Sequence, residues 1–483
     1  MAKAQTQPID LLIVGAGLSG IGAAAHLRRR CPEKSLLILE GRGAIGGTWD
    51  LFRYPGIRSD SDMYTLGYKF KPWMSAKAIA DGPSIRDYVR ETAAENGIED
   101  RIRFGHRVVA AAWRSGEALW QVEAETAHGL ETFTCRFLVM ASGYFDYEEA
   151  FRPRWAGEED FTGDIVHPQF WPDGLDYAGK RVAVIGSGAT AVTLVPAMAR
   201  AAAHVTMVQR SPSYIVARPS VDAIAEWLKR WLRAGAAYAL TRWKNVLLTS
   251  FFYRLARRRP QRVAAKLIAM ARDEIGQGFE AADFTPSYRP WDQRVCLVPD
   301  GDLFEAVRDG KVTMATSAIE RFTANGLQLR NGDKVAADLV VAATGLKVVP
   351  LGKVRLSIDG QAVNPAEAMI YKGMMLSDVP NMMFIFGYTN ASWTLKADLT
   401  CDYLVRLLKR MEAKNASVAV APRDPAVGEA AFLDFTSGYV QRALPVLPKQ
   451  GERRPWRLYQ NYWLDLLTLR FGAIEDGTLV LAP

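Results

Sequence analysis

Residues 9–20 read Ile-Asp-Leu-Leu-Ile-Val-Gly-Ala-Gly-Leu-Ser-Gly. Ile9 to Val14 is a short apolar run, and Gly15, Gly17 and Gly20 punctuate the turn that follows, with Ser19 inside it. A helical pattern continues through Leu27, and a second apolar run, Ser35 to Leu39, ends at Glu40. This is a strand–turn–helix–strand unit with an acid about 20 residues beyond the last glycine. The glycines permit a tight turn and let backbone approach a pyrophosphate. The helix N-terminus adds free N–H groups and the positive end of its dipole. Glu40 can accept hydrogen bonds from ribose hydroxyls. A chance glycine loop would lack the flanking strands and the acid.

A second unit begins at Lys180. Arg181 to Ile185 reads as a strand, Gly186-Ser187-Gly188-Ala189-Thr190-Ala191 as the turn, and His204 to Val208 as the next strand. Alanine takes the third glycine position, which the pattern tolerates. Where the acid would stand, the chain has Gln209-Arg210-Ser211. A carboxylate repels a 2′-phosphate and an arginine attracts it, so this unit should prefer NADP to NAD. The plainer reading of Arg210 is a solvated charge at a strand end. Two such turns in one chain predict an α/β fold with two dinucleotide-binding domains and two nucleotides facing each other. Two more strands run into small-residue turns, Phe137 to Gly143 and Leu339 to Gly345. Small residues there let backbone lie close to a cofactor or a neighbouring strand.

The length, 483 residues, favours two to four lobes. At 49% hydrophobic and 23% charged residues the composition is that of a globular protein. The net charge of +8 is concentrated between Lys229 and Arg272, where Arg257-Arg258-Arg259 form a run. A basic face suits NADPH phosphates, anionic lipid or nucleic acid. No nucleic-acid motif accompanies it, so that class is set aside. Cys31, Cys135, Cys296 and Cys401 are scattered and form no C-x-x-C pair. Disulfide reductases carry two dinucleotide units as well, but they need a close cysteine pair to pass electrons on. The spacing argues equally against a metal site, and it fits a reducing cytosol. Met1 to Pro8 is polar, without a signal core. The longest apolar runs, such as Val246 to Phe252, are far short of the roughly 20 residues that span a bilayer. The expected location is cytoplasmic, with a peripheral membrane position left open.

Between about Ser220 and Glu280 glycine is scarce and helical patterns dominate. Trp227, Leu228, Trp231 and Leu232 fall on one face, with Lys229, Arg230 and Arg233 elsewhere. This reads as a helical insertion in the second nucleotide domain, first as a solvated cap and second as a membrane-surface element. The expected division is a FAD-binding domain over 1–150 and 341–483 and a linker with the start of the NADP domain over 151–219. The insertion then covers 220–282, and the rest of the NADP domain 283–340.

The segment between the two units carries Phe161, Gly163, His167, Trp171 and Pro172. These match every fixed position of F-x-G-x-x-x-H-x-x-x-W-P, and the chain resembles the type I Baeyer–Villiger monooxygenases. Gly46-Gly47-Thr48-Trp49 and Tyr54-Pro55-Gly56-Ile57-Arg58-Ser59-Asp60 are similar to that family's flavin-proximal loop. Phe284-Thr285-Pro286, Pro290-Trp291-Asp292-Gln293-Arg294, Gly387-Tyr388-Thr389-Asn390 and Ser392-Trp393-Thr394 resemble its ethionamide-activating subgroup. The resemblance implies FAD, NADPH and O2 as reactants and a C4a-peroxyflavin that attacks ketones, giving esters or lactones, and oxidises sulfides. It implies that Arg294 stabilises negative charge beside the flavin and that Asp60 orients Arg294. It also places Gly47, Thr48, Trp49, Asp50 and Leu51 beside the flavin, and Val108 beside the adenine. Arg58 and Ser59 would lie where the nicotinamide comes, Trp393 at the start of a helix facing the flavin, and His167 in a linker coupling the domains. A core role is expected for the tail aromatics Trp456, Tyr459, Tyr462 and Trp463. Two other readings remain: a sulfide or amine monooxygenase with little ketone activity, and a non-catalytic, membrane-associated flavin protein.

Overall fold

The computed structural model describes residues 7–483. Residues 1–6, most of the polar N-terminal stretch, lie outside the described residues. One parallel sheet stands behind each glycine turn. In the first, Ile9–Val14 pairs with Leu36–Glu40 on one side and with the second half of Gly129–Met140 on the other. Ile102–Phe104 and Met382–Phe384 complete the edges. Leu11, Leu12 and Ile13 are wholly buried because both faces of this parallel strand are covered. That is why the run is continuously apolar instead of alternating. Each such side chain contributes roughly 1.5–3 kcal/mol on burial.

The strand Gly129–Met140 serves two layers. Its first half pairs antiparallel with Leu119–Thr126, which pairs in turn with Arg107–Arg114. Here the alternation is clear: Trp113 and Trp120 oppose each other across the pair, buried, with ring centroids 5.6 Å apart.

The second sheet runs Val312–Thr316, His204–Gln209, Arg181–Ile185, Leu339–Ala342, Asp164–Val166, all parallel. The expected boundary at 340/341 therefore cuts through a strand of this sheet. The small-residue turn marks where that strand ends, and the crossing back to the first domain comes after it. The two crossing segments pair with each other, Phe145–Ala150 against Leu346–Val348.

The insertion consists of the helices Ala223–Trp231, Ala234–Arg258 and Pro260–Ile275. It belongs to the second domain by chain order, but its long helix packs on the first. Tyr238, Arg242 and Val246 form its buried stripe. The Arg242 guanidinium donates to the carbonyls of Tyr64 at 2.8 Å and Gly67 at 2.7 Å, and pairs with Asp398 at 3.0 Å. Those carbonyls end the helix Met63–Leu66 and have no partner within it. The short helix Ala223–Trp231 leaves its large apolar side chains in contact with water. Trp227, Trp231 and Leu232 are exposed, and only Ala225 is buried on that helix. Periodicity groups side chains on a face without saying that anything covers it. Of the four tail aromatics, Trp456 is core, whereas Tyr459, Tyr462 and Trp463 are half-buried.

Candidate active site

A cavity of about 560 Å³ lies against the first glycine turn. Its walls include Gly15, Gly17, Ser19, Glu40, Gly47, Thr48, Trp49, Leu51, Ser59, Asp60, Val108, Arg294 and Trp393. The first intrahelical hydrogen bond runs from the Ile21 N–H to the Gly17 carbonyl at 3.0 Å. The N–H groups of Leu18, Ser19 and Gly20 thus have no partner inside the helix. Gly15 has φ +102°, and a Cβ there would lie 2.7 Å from the Ala141 carbonyl oxygen. A Cβ on Gly47 would lie 3.0 Å from Gly17 Cα. Backbone walls the slot on both sides, and any side chain would fill it. This cradle fits the pyrophosphate of FAD.

Glu40 closes the strand end. Its carboxylate accepts from the Ala16 N–H at 2.7 Å and the Arg42 N–H at 2.9 Å. Burial nonetheless pushes its pKa up, against those two bonds. Val108 borders the far end of the cavity, beside a break in strand register between Val108 and Ala110. Ser19 and Trp393 face each other: the Trp393 indole N–H donates to Ser19 Oγ at 2.8 Å. Trp393 opens the helix Trp393–Ala413 and stacks on Tyr144 at 5.0 Å. Thr48 shares a hydrogen bond with the Tyr147 hydroxyl at 3.0 Å. Asp50 points away from the cavity and is buried against Arg42 at 2.8 Å and Arg90 at 3.4 Å.

Arg294 and Asp60, 234 positions apart, meet in the cavity wall. Arg294 Nε lies 2.8 Å from Asp60 Oδ2, and Nη2 donates to Oδ1 at 3.3 Å. Burial works against the guanidinium charge, but Asp60 beside it holds the pKa above arginine's usual value. The half-exposed face of Arg294 looks into the cavity. Its loop is strained and is held from two directions. Trp291 has φ +71°, a conformation that costs a bulky residue about 1–3 kcal/mol. Asp292 pairs with Arg257 of the insertion at 2.6 Å, and its carbonyl accepts from the Thr436 N–H of the tail at 3.0 Å.

The second turn is outside this cavity. Gly186 has φ +143°, and a Cβ there would lie 2.3 Å from the Ala343 carbonyl oxygen. Gly188 leads into the helix Ala189–Met198, where the first intrahelical bond is Val192 N–H to Gly188 at 3.1 Å. Ala189, Thr190 and Ala191 therefore offer N–H groups, and Ser187 Oγ donates to the Ser211 carbonyl at 2.9 Å. Arg210 is exposed at the strand end and forms no ion pair among the described residues. Gln209 differs: its side chain turns inward and donates to the Asp283 carbonyl and to Thr316 Oγ1, both at 2.8 Å.

The flavin-proximal loop joins the two halves. Trp49 lines the cavity, whereas Phe52 and Tyr54 are buried in the core of the second domain. Tyr54 lies beside Thr190 of the second turn. Arg58 is not in the cavity; it forms a bidentate pair with Asp302. His167 is a linker residue. Its Nδ1 accepts from the Gln169 N–H at 3.1 Å and its Nε2 faces the Gly345 carbonyl at 3.3 Å. This places its proton on Nε2, and burial lowers its pKa, so the ring is neutral. Phe161 packs edge-on against Phe322 at 5.8 Å. The wall also includes Tyr144, Tyr147 and Tyr439, which no local pattern marks as site residues, and Tyr388 of the resembling segment Gly387 to Asn390.

Together, a walled nucleotide slot, a second nucleotide turn and a cation held between them define a two-nucleotide flavin oxidoreductase. A family model described as pyridine nucleotide-disulphide oxidoreductase matches residues 12–242. The four cysteines are free and buried, so no redox pair accompanies that match. The FAD-containing monooxygenase EthA of Mycobacterium tuberculosis H37Rv is 52% identical over 480 residues, 99% of this chain and 98% of its own. EthA of Mycolicibacterium smegmatis is 49% identical, over 98% and 97%. The probable FAD-binding monooxygenase AlmA of an Acinetobacter species is 46% identical, over 98% and 96%. A solved steroid monooxygenase bound to NADP superposes with a TM-score of 0.78 at 22% identity, covering 99% of this chain and 100% of that one. Cyclohexanone monooxygenase in an open form gives 0.69 at 21% identity, over 87% and 90%. The chain belongs to the FAD-containing monooxygenases and has the fold of the Baeyer–Villiger enzymes.

Proposed function

We propose that this chain uses FAD, NADPH and O2 to insert oxygen beside a ketone carbonyl, giving an ester or lactone, and to oxidise sulfides to sulfoxides. For a ketone the balance is ketone, O2, NADPH and a proton to ester, water and NADP⁺. The observation that carries the reading is the Asp60–Arg294 pair in the cavity wall, on the side facing the second domain. FAD, when bound, supplies two-electron reduction by NADPH and activation of O2. Gly15, Gly17, Gly20, Ser19 and the helix N-terminus would hold its pyrophosphate, Glu40 its ribose, and Gly47, Thr48, Trp49 and Leu51 its ring edge. Gly186 to Ala191 would hold the NADPH pyrophosphate and Arg210 the 2′-phosphate.

Arg294 is placed to stabilise negative charge as it develops on a substrate carbonyl oxygen. It cannot neutralise itself by losing a proton. Asp60 keeps the guanidinium plane turned along the wall, so little reorganisation is needed when that charge appears. His167, neutral and bonded to the hinge backbone, holds the crossing segments together and carries no proton in the reaction. Trp49, Tyr144 and Trp393 line the slot with aromatic rings.

The test is product analysis during NADPH oxidation, with a ketone and a thioether supplied separately. Ester and sulfoxide should each match the NADPH consumed. Sulfoxide without ester would replace this reading with a sulfide monooxygenase, and hydrogen peroxide alone would reject both.

A further inference from the structure

The insertion leaves an apolar face uncovered. On the long helix Leu240, Trp243, Leu247 and Phe251 form a stripe opposite the buried one, with Phe251 59% exposed. On the short helix Trp227 is 58% exposed and Trp231 74%. The C-terminal tail joins the same surface: Trp463 stacks on Trp243 at 5.6 Å and its indole N–H donates to Ser250 Oγ at 3.2 Å. A turn beyond, Leu467 is 60% exposed and Phe471 68%. Two segments more than 200 residues apart thus contribute aromatics to one region. Soluble monomers rarely leave so many large apolar groups in contact with water.

The charges beside this face are of one sign. From Ala223 to Arg272 the only acid is Glu226, and Lys229 already neutralises it at 2.7 Å. Arg230, Arg233, Arg254, Arg258 and Arg259 are exposed and form no ion pair among the described residues. A second copy of the chain is a poor occupant. Two-fold self-pairing would press this cationic face against its own image. No helix is long and apolar enough among the described residues to cross a membrane, so the face can only lie on one. The aromatics also lead inward: Trp243 contacts Tyr462 at 6.1 Å, and Tyr462 contacts Tyr388 of the cavity wall at 6.5 Å.

We propose that the helices Ala223–Trp231 and Ala234–Arg258, with the tail residues Trp463, Leu467 and Phe471, dock the protein on an anionic lipid surface. The tryptophans and phenylalanines enter the headgroup boundary, and the arginines meet lipid phosphates. This rests on the exposed face and is independent of which substrate is oxidised.

The experiment is sedimentation of the FAD-loaded full chain with vesicles of phosphatidylcholine mixed with phosphatidylglycerol, or of phosphatidylcholine alone, at low and high salt. Binding should favour the anionic vesicles and weaken as salt rises. The pair Arg230→Glu and Arg233→Glu should reduce partitioning at least about tenfold. The pair Trp227→Ser and Trp231→Ser should do the same at unchanged FAD content and NADPH oxidation. No sedimentation at low salt overturns the proposal, as does equal binding by wild type and both variants. A lipid-independent dimer that these substitutions dissolve would assign the face to a second copy instead.

Discussion

The two glycine turns share a sequence pattern and differ in their surroundings. In the first, a Cβ on Gly17 would sit 3.4 Å from Gly47, and one on Gly20 would sit 1.9 Å from the Gly15 carbonyl oxygen. In the second, a Cβ on Gly188 meets nothing within 4 Å. The third position there is Ala191, fully buried, whose methyl the fold accommodates. The first turn is a slot lined by Trp49 and Trp393, whereas the second is an open ledge ending in an exposed arginine. Such a contrast fits one nucleotide that stays and another that must come and go.

The contrast breaks first at Gly15. Gly15→Val puts a side chain against the Ala141 carbonyl and into the slot, so the purified variant should carry no flavin by absorbance; full occupancy would void the assignment of this turn. The next largest effect concerns the cation between the turns. Arg294→Ala should retain FAD and still oxidise NADPH, while product formation falls about 10²–10³-fold. Asp60→Ala should follow it more mildly, and wild-type ester rates in Arg294→Ala would reject the mechanism. Arg210→Ala tests the open ledge. One charge-assisted phosphate contact is worth about 1.5–3 kcal/mol, so the preference for NADPH over NADH should drop at least about tenfold. Equal losses for both cofactors would remove Arg210 from that role.

Gly188→Ala sharpens the comparison from the other side. With space for the methyl, it should leave FAD content and stability unchanged and alter only the KM for NADPH. The smallest effect lies in the linker. Burial lowers the His167 pKa below its ordinary 6.5 in the folded state, so the unfolded chain binds that proton more readily. Stability is therefore intact above about 6.5, declines as pH falls through it, and levels off below the folded-state value. His167→Gln should flatten this acid limb in thermal melts; an unchanged slope would show that the imidazole is not its source.

The strands and turns were legible in the sequence because their causes are local. Apolar runs buried on both faces, glycines at positive φ and a terminal acid all lie within about 30 residues. Asp60 and Arg294 were legible only through resemblance, since nothing local says that residues so far apart will touch. Arg58 comes from the same route. It sits in a matching loop, yet in this chain Asp302 takes its side chain. Gln209 stands in the stretch that replaces a ribose-binding acid, but its amide fills a polar gap beside Asp283. Tyr144 and Tyr439 carry no pattern at all; isolated tyrosines belong to a wall only once the fold assembles it. The insertion's helices followed from periodicity, but which face is covered depends on where Arg242 finds its carbonyls.

The loop from Phe52 to Arg58 has a consequence for how such proteins can be taken apart. Its aromatics are core residues of the domain that its own segment does not belong to, and Arg58 fastens it there through Asp302. The flavin half therefore ends in a plug, and the nicotinamide half in a matching socket. Expressed alone, the first would present Phe52 and Tyr54 to water, and the second would have a hole in its core beside Thr190. The two nucleotide units are not interchangeable parts. A chimera that exchanges one of them has to carry residues 52–58 with the socket rather than with the sheet they follow in the chain.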